Sequence, residues 1–328
     1  MTPEKRVSAI DCLRGLAALS VCFFHFVHGN GHYLPPANYL KKIGSCGFLG
    51  VEIFFIISGF ILPLSLESSN YSLKNYFPFI LKRLIRIDIP YLVVILLGIV
   101  LAYLSTLSPF YKGLPFYIDY INIALHIGYL TSIFGKAWIN PAFWTLALEF
   151  QFYLLIALIY PLLIRKGAYL HVFIALSLIS SYFIQTNDFI FSYLPFFCLG
   201  IVFFKYYRSF IDFKTFLTLA ISIYVFVLLK FDYRYVIASL LPLVIFYKYD
   251  IANKLLLFLG KISYSIYLLH IPIGMRIINI TDSLVQDPSI KSLVVFMDIL
   301  LVVGVSYLFN TFVETPAVAL SKKIVYKS

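Results

Sequence analysis

Charged residues are scarce in this chain. Asp, Glu, Lys and Arg together make up 12% of the 328 residues, whereas 61% are hydrophobic and the mean hydropathy is +0.92. Soluble domains carry about twice that charged fraction, which excludes an ordinary soluble globular protein. Acidic residues are the rarer kind, 15 against 26 basic ones. In a membrane protein the resulting net charge of +11 is expected in cytoplasmic loops, so we expect a lipid bilayer and no nucleic acid as partner.

Motifs of soluble catalytic and metal sites are also lacking. The sequence contains no G-x-S-x-G nucleophile elbow, no Walker phosphate loop and no H-E-x-x-H pair. The four cysteines are scattered through apolar runs without metal-site spacing, and we interpret them as buried small hydrophobic residues. The candidate functional groups are therefore the polar residues inside apolar segments, and no bound metal is expected.

Apolar runs near 20 residues, long enough to cross about 30 Å of hydrocarbon, fill most of the chain. They predict an all-α polytopic membrane protein, one transmembrane domain over 1–328 with about ten helices. The predicted spans are 8–28, 46–66, 87–105, 143–164, 168–185, 190–207, 213–230, 234–248, 255–279 and 292–312. Most lysines and arginines fall towards the cytoplasm if both termini lie inside, which predicts an N-in, C-in orientation. The apolar piece 121–134 is too short to span and is predicted to be re-entrant or interfacial.

The first span carries Asp11, Arg14, His25 and His28, more polar residues than a membrane helix ordinarily tolerates. Charges inside a spanning helix are expensive and by default mark function. Asp11 and Arg14 are three residues apart and share one helical face. Arg14 and His25 are eleven residues apart, which places them on nearly the same face and about 16 Å apart along the axis. One helix thus presents a cation towards the inner side and an imidazole towards the outer side.

Further cations are expected at the inner side. Arg83 and Arg86 share a helical face, and arginine is the side chain suited to bidentate capture of phosphate. Lys261 lies at the inner end of the ninth predicted span. The alternative interpretation is plain positive-inside anchoring for the arginines and snorkelling for the lysine.

Three more polar residues, Glu52, Glu149 and His270, are expected at the depth of His25 in the outer half of the membrane. Each of them could be a polar clasp between helices. His25 with Glu149 also fits a general-base pair, because an imidazole and a carboxylate can share a proton. Together with His270, the pair could instead form the proton relay of a proton-coupled transporter or permease. The inverted repeats that favour that class are not visible in the sequence.

Six motifs, in order, resemble the membrane acyltransferase 3 family, integral-membrane O-acyltransferases that act on carbohydrates. They are IDCLRG at 10–15 with His25 following, GVEIFFIISGF at 50–60, RLIR at 83–86, WTLALEFQFY at 144–153, SYSIYLLHIP at 263–272 and VETP at 313–316. Glu52 stands where the family more often has aspartate. The motifs span nearly the whole chain, and the resemblance is to the standalone type without a fused SGNH domain.

The resemblance implies transfer of an acyl group, most often acetyl from acetyl-CoA, to a hydroxyl of a cell-surface or lipid-linked carbohydrate. It implies a multi-pass protein of the inner or plasma membrane that uses acyl-CoA as donor and holds no permanent cofactor. By this resemblance His25 is expected to be the base or a transient acyl carrier, Glu149 its partner, and Asp11 the residue that holds Arg14. The residues expected to bind the donor are Arg14, Arg83, Arg86 and Lys261. Those expected to bind the acceptor are Trp144, Tyr153, His270 and Glu52. General base is preferred for His25, because it needs only one acyl-transfer step.

Overall fold

Every regular element is helical in the part of the chain that the computed structural model describes, residues 3–108, 115–165, 167–248 and 253–326. The α-helices are α1 (Pro3–His28), α2 (Tyr39–Gly44), α3 (Gly50–Ser68), α4 (Tyr76–Thr106), α5 (Tyr120–Ile127), α6 (Phe143–Leu163), α7 (Tyr169–Phe183), α8 (Leu194–Tyr207), α9 (Phe213–Lys230), α10 (Tyr233–Lys248), α11 (Lys254–Lys261), α12 (Ser263–Leu269), α13 (Arg276–Leu284), α14 (Pro288–Phe309) and α15 (Thr315–Ser321). Two turns are π-helical, His270–Met275 and Asn310–Glu314. The predicted all-α fold class is confirmed.

The long apolar helices coincide with the predicted spans. Within the described ranges, seven helices are long and apolar enough to cross a membrane, and one bent helix pair makes an eighth. Two shorter apolar helices, Tyr169–Phe183 and Tyr233–Ile245, occupy the two remaining predicted positions. The chain is therefore a multi-pass membrane protein, whereas the count of ten spans and the N-in orientation stay predictions.

The ninth predicted span, 255–279, is not one straight helix. α11 and α12 meet at a bend of 56°. Ser263 Oγ donates to the Gly260 carbonyl at 2.8 Å, and such local bonds compete with the helical ladder. After α12 the helix widens into the π-helical turn His270–Met275, which contains Pro272. Proline has no N–H to offer the ladder, and single π turns are frequent at functional sites.

α3 and α8 lie at the centre of the bundle, and their backbones touch at Gly59 and Gly200. A Cβ on Gly59 would lie 2.9 Å from the carbonyl carbon of Phe197, and one on Gly200 would lie 2.7 Å from that of Gly59. Membrane helices pack through such small residues because lipid provides no hydrophobic drive between them. α4, α9 and α14 are mostly exposed, as expected of helices that face lipid.

A second glycine contact joins α1 to the bent span. Gly15 lies against α11, and a Cβ on Gly260 would lie 2.5 Å from the carbonyl carbon of Asp11. The two helices run in the same direction, so that His25 meets His270 ten residues further along each of them. This contact fixes the depth of the polar residues of α1 relative to the ninth span.

The apolar piece 121–134 begins as the short helix α5 and continues as turns. His126 links the start of this segment to the chain just after it through both ring nitrogens. Its Nδ1 lies 2.7 Å from the Asn122 carbonyl oxygen, and its Nε2 accepts a hydrogen bond from the Ile139 amide at 3.0 Å. Tyr91 of α4 donates to the His126 carbonyl at 3.0 Å. The segment is tied to α4 and leads into α6. Its re-entrant placement stays a prediction.

Candidate active site

A cavity of about 120 Å³ lies among α1, α3, α4, α6 and α12. Its polar lining residues are Arg14, Ser58, Arg83, Arg86, Thr145, Glu149, Tyr153, Tyr264, Tyr267 and Glu314. Three guanidinium groups and two carboxylates leave a formal excess of one positive charge. The cavity therefore collects five of the eleven candidate residues of the sequence analysis, and its net positive charge suits an anionic ligand.

One face of α3 forms the long wall of this cavity. Its lining side chains run from Val51 to Leu62 at helical spacings of three and four residues. Eleven residues correspond to about 16 Å along the helix. Ser58 is the polar exception on an otherwise apolar wall. The cavity is thus an elongated passage along the bundle.

The Arg83 side chain lies near one end of the passage, where it makes both polar and aromatic contacts. Its Nη2 donates to Ser65 Oγ at 3.3 Å. The guanidinium carbon lies 5.4 Å from the ring centroid of Phe79 and 5.8 Å from that of Tyr153. Guanidinium groups stack on aromatic faces and keep their N–H groups for a ligand. Arg83 is therefore held in place with donors still available to an anion.

Arg14 and Arg86 complete the cationic end from two different helices. Arg86 interacts electrostatically with both Arg14 and Arg83, and Asp11 interacts with Arg14 and Arg86. The predicted neighbourhood of Asp11 and Arg14 is thus present. Three clustered cations repel one another, so that a bound phosphate would be stabilised by all of them.

Glu149 lies in the same cavity, away from His25. Ser58 Oγ donates to its Oε1 at 2.9 Å. The hydrogen bond between Thr145 and Tyr267, 2.5 Å long, places the first turn of α6 level with Tyr267. Glu149 then lies about one turn from this level in one direction along the bundle and His270 nearly one turn in the other, a separation of about 10 Å. The expected contact between Glu149 and the His25–His270 level is not formed.

The reason is that α6 begins inside the bundle. Asn140, which is buried just before this helix, donates to the Leu268 carbonyl at 3.0 Å. The His126-anchored segment thus leads the chain to the level of α12 before α6 starts. This start places Glu149 away from the level of His25, at which it was expected.

Glu314 lines the cavity and belongs to the VETP motif at 313–316, although no role was expected for it. Its Oε2 accepts hydrogen bonds from Ser265 Oγ at 2.6 Å and from Asn310 Nδ2 at 2.9 Å. The predicted last span ended at 312, whereas the structure continues through the π turn Asn310–Glu314 into α15. The available signal was an acidic residue placed directly after a long apolar run.

His25 lies just beyond the other end of the passage, against His270. The two ring centroids are 5.1 Å apart, with an angle of 41° between the planes. His270 is fully buried, and its ring lies 5.6 Å from that of Tyr267, which lines the cavity. The histidine pair is thus one aromatic ring away from the passage.

Besides Asp11, His25 and His270, three more expected site residues lie outside the cavity lining. Trp144 packs against Tyr193 with ring centroids 5.4 Å apart. Glu52 is buried on α3, and its Oε2 has no hydrogen-bond partner among the described residues. Lys261 is exposed at the end of α11. The structure does not bring these three side chains to the arginines.

Comparison with known protein families agrees with the arrangement. The model of the acyltransferase 3 family, described as an acyltransferase domain, matches residues 7–311. The chain belongs to the acyltransferase 3 family. It is a multi-pass membrane acyltransferase, which confirms the resemblance drawn from the six motifs.

Individual relatives cover different shares of the chain. ORF330 of Acidianus two-tailed virus, a protein named as an acetyltransferase, is 31% identical over 288 residues, covering 79% of this chain and 81% of ORF330. The O-acetyltransferase OatA of Staphylococcus aureus is 28% identical over 178 residues, covering 51% of this chain and 26% of OatA. SACOL0978 of the same species, named as an O-acetyltransferase, is 26% identical over 368 residues, covering 96% of this chain and 58% of SACOL0978. The match thus spans only part of the staphylococcal proteins. No solved structure matches the chain.

Proposed function

We propose that this acyltransferase moves an acetyl group from a cytoplasmic acyl-CoA to a hydroxyl of a cell-surface or lipid-linked carbohydrate. The observation that carries the proposal is the convergence of Arg14, Arg83 and Arg86 in one elongated passage. The names of the relatives, acetyltransferase and O-acetyltransferase, favour acetyl as the group and oxygen as the acceptor atom.

The passage suits the donor in charge and in length. CoA is rich in phosphate, and arginine binds phosphate oxygens through paired charge-assisted hydrogen bonds. The pantetheine arm, roughly 15–20 Å long, is comparable to the about 16 Å that the passage follows along α3. With its phosphates at the arginines, the thioester would reach the level of Tyr267, next to the two histidines.

His25 acts as the general base in this scheme. It takes the proton of the acceptor hydroxyl while the hydroxyl oxygen attacks the thioester carbonyl. The ester C–O bond forms, the C–S bond breaks, and the proton passes from His25 to the departing CoA sulfur. In the alternative, His25 first carries the acetyl group itself, which requires two transfer steps.

A proton-coupled transporter is the less favoured function. Its relay would need Glu149 beside the histidine pair, but Glu149 is hydrogen-bonded to Ser58 within the arginine cavity. In the proposed enzyme, Glu149 belongs to the donor passage and does not orient His25.

CoA binding to the purified protein in nanodiscs tests the donor site. The Arg83→Ala/Arg86→Ala variant should bind CoA about 10²- to 10⁴-fold more weakly, since each hydrogen bond to a charged group contributes about 1.5–3 kcal/mol. Lys82→Ala is the matched control: it removes a cation from the same helix, but Lys82 lies over the Tyr326 ring and not in the cavity lining. Unchanged affinity of the double variant would contradict the phosphate role.

The base is tested separately. His25→Ala should lower the rate of acetyl transfer by about 10²- to 10⁴-fold while CoA binding persists. A well-folded His25→Ala protein with the wild-type transfer rate would remove His25 from the chemistry.

A further inference from the structure

We propose that His270 is the positioning residue of His25: its buried Nε2 accepts the N–H of His25 and leaves the opposite His25 nitrogen as the base. This inference rests on the proposed role of His25 and goes beyond it, because it names the group that sets the tautomer of the base. His270 thereby takes the role of partner to His25 that was expected of Glu149.

The tautomer of His270 follows from its backbone contacts. Nδ1 lies 2.7 Å from the Tyr267 carbonyl oxygen and 3.3 Å from that of Ile266. A carbonyl oxygen only accepts hydrogen bonds, so Nδ1 carries the proton. In the neutral ring, Nε2 therefore presents a lone pair.

That lone pair is enclosed and unused. His270 has 0% of its surface exposed, and Nε2 has no hydrogen-bond partner among the described residues. Adding a proton to Nε2 would place a net charge in a fully buried position, which is unfavourable. Nε2 is thus an acceptor without a donor among the described residues, and each buried polar atom in that state calls for an explanation.

His25 is the donor that the geometry provides. Its ring centroid lies 5.1 Å from that of His270, a separation that a single hydrogen bond between facing ring nitrogens can span. Catalytic hydrogen bonds are often loose in the absence of substrate and tighten in the complex. A rotation of the half-buried His25 ring closes the bond without movement of the backbone.

The backbone around the pair is closely packed. A Cβ on Gly274, in the π turn that begins at His270, would overlap the ring of Phe26, the residue after His25. α1 therefore contacts this turn directly beside the two histidines. Close packing keeps the two rings at a defined separation, as a positioning role requires.

The contact has a chemical consequence. A His25 that donates to His270 keeps its other nitrogen unprotonated and able to accept the hydroxyl proton. When His25 takes that proton it becomes an imidazolium, and the hydrogen bond to Nε2 stabilises the positive charge. In serine proteases a carboxylate holds the catalytic histidine in this way, and here a neutral imidazole would do so.

Nitrogen NMR of the wild-type protein tests the inference directly. The chain has six histidines, so labelling histidine alone with ¹⁵N gives a small set of ring signals. With acetyl-CoA bound, the His25 signals, assigned by their loss in His25→Gln, should show one fixed neutral tautomer. Exchange between both tautomers in the wild-type protein with acetyl-CoA bound would overturn the proposal.

Variants at His270 then separate positioning from packing. His270→Phe fills the space without an acceptor, so His25 should exchange between tautomers and kcat should fall about 10²-fold, the lower end of what a positioned base contributes. The KM for acetyl-CoA should stay unchanged, because the arginine end is not altered. His270→Gln, whose side-chain oxygen can replace Nε2, should restore the fixed tautomer and most of kcat.

His171 provides the control, since it is an exposed histidine of α7 outside the cavity lining. His171→Gln should leave the His25 tautomer and kcat unchanged. A His270→Phe protein that retains the fixed tautomer refutes the inference even if His25→Ala is inactive. Full activity of His25→Ala refutes the proposed function instead, and the tautomer measurement still decides the role of His270.

Discussion

Gly260→Ala probes the contact that places Arg14 in the cavity. The new Cβ would lie 2.5 Å from the carbonyl carbon of Asp11, whereas ordinary contacts begin near 3.4 Å, so α1 and α11 must separate by about 1 Å. Overpacking of this kind costs about 1–3 kcal/mol of stability. A displacement of about 1 Å can lower the rate about 10²-fold even when the mutation lies far from the reacting atoms. We therefore expect both a lower unfolding temperature and a slower transfer.

The assay is thermal unfolding in detergent together with the rate of CoA release from acetyl-CoA in the presence of acceptor. Gly304→Ala is the matched control, because the same methyl group there meets no atom within 4 Å. It should be neutral or slightly stabilising, since alanine favours a helix over glycine. If Gly260→Ala behaved like Gly304→Ala in both measurements, the close approach of α1 and α11 would be refuted.

Two further results are expected. Glu314→Ala leaves the buried donors of Ser265 and Asn310 without their acceptor, so the free energy of unfolding should fall by about 1–3 kcal/mol per donor. Glu67→Ala, which removes a partly exposed ion pair, should lower it by less than about 1 kcal/mol. Equal losses in the two variants would contradict the buried network. Cys46 is exposed, so the interpretation of all four cysteines as buried was wrong for this one. A membrane-impermeant maleimide added to intact cells should therefore label Cys46 from outside. Labelling only after permeabilisation would reverse the predicted orientation.

The spacing within one helix was predictable from the sequence. Arg14 and His25 lie on the uninterrupted helix α1, so eleven residues translate directly into about 16 Å. The pair Arg83 and Arg86 lies on α4 for the same reason. Helical periodicity is a local property, and no tertiary contact was needed to infer these positions.

Depths on different helices were not predictable in this way. Glu149 was expected at the level of His25, but the buried contact of Asn140 with Leu268 starts α6 inside the bundle. Glu314 was missed because a π turn extends α14 beyond the apolar run. Both outcomes depend on contacts between segments far apart in sequence, which hydropathy does not report.

A structure of the protein with CoA bound tests the central claim most directly. The account predicts that the CoA phosphates contact Arg14, Arg83 and Arg86, and that the thiol lies at the opposite end of the passage beside Tyr267 and His25. Phosphates bound away from these arginines, or a thiol at the arginine end, would contradict it.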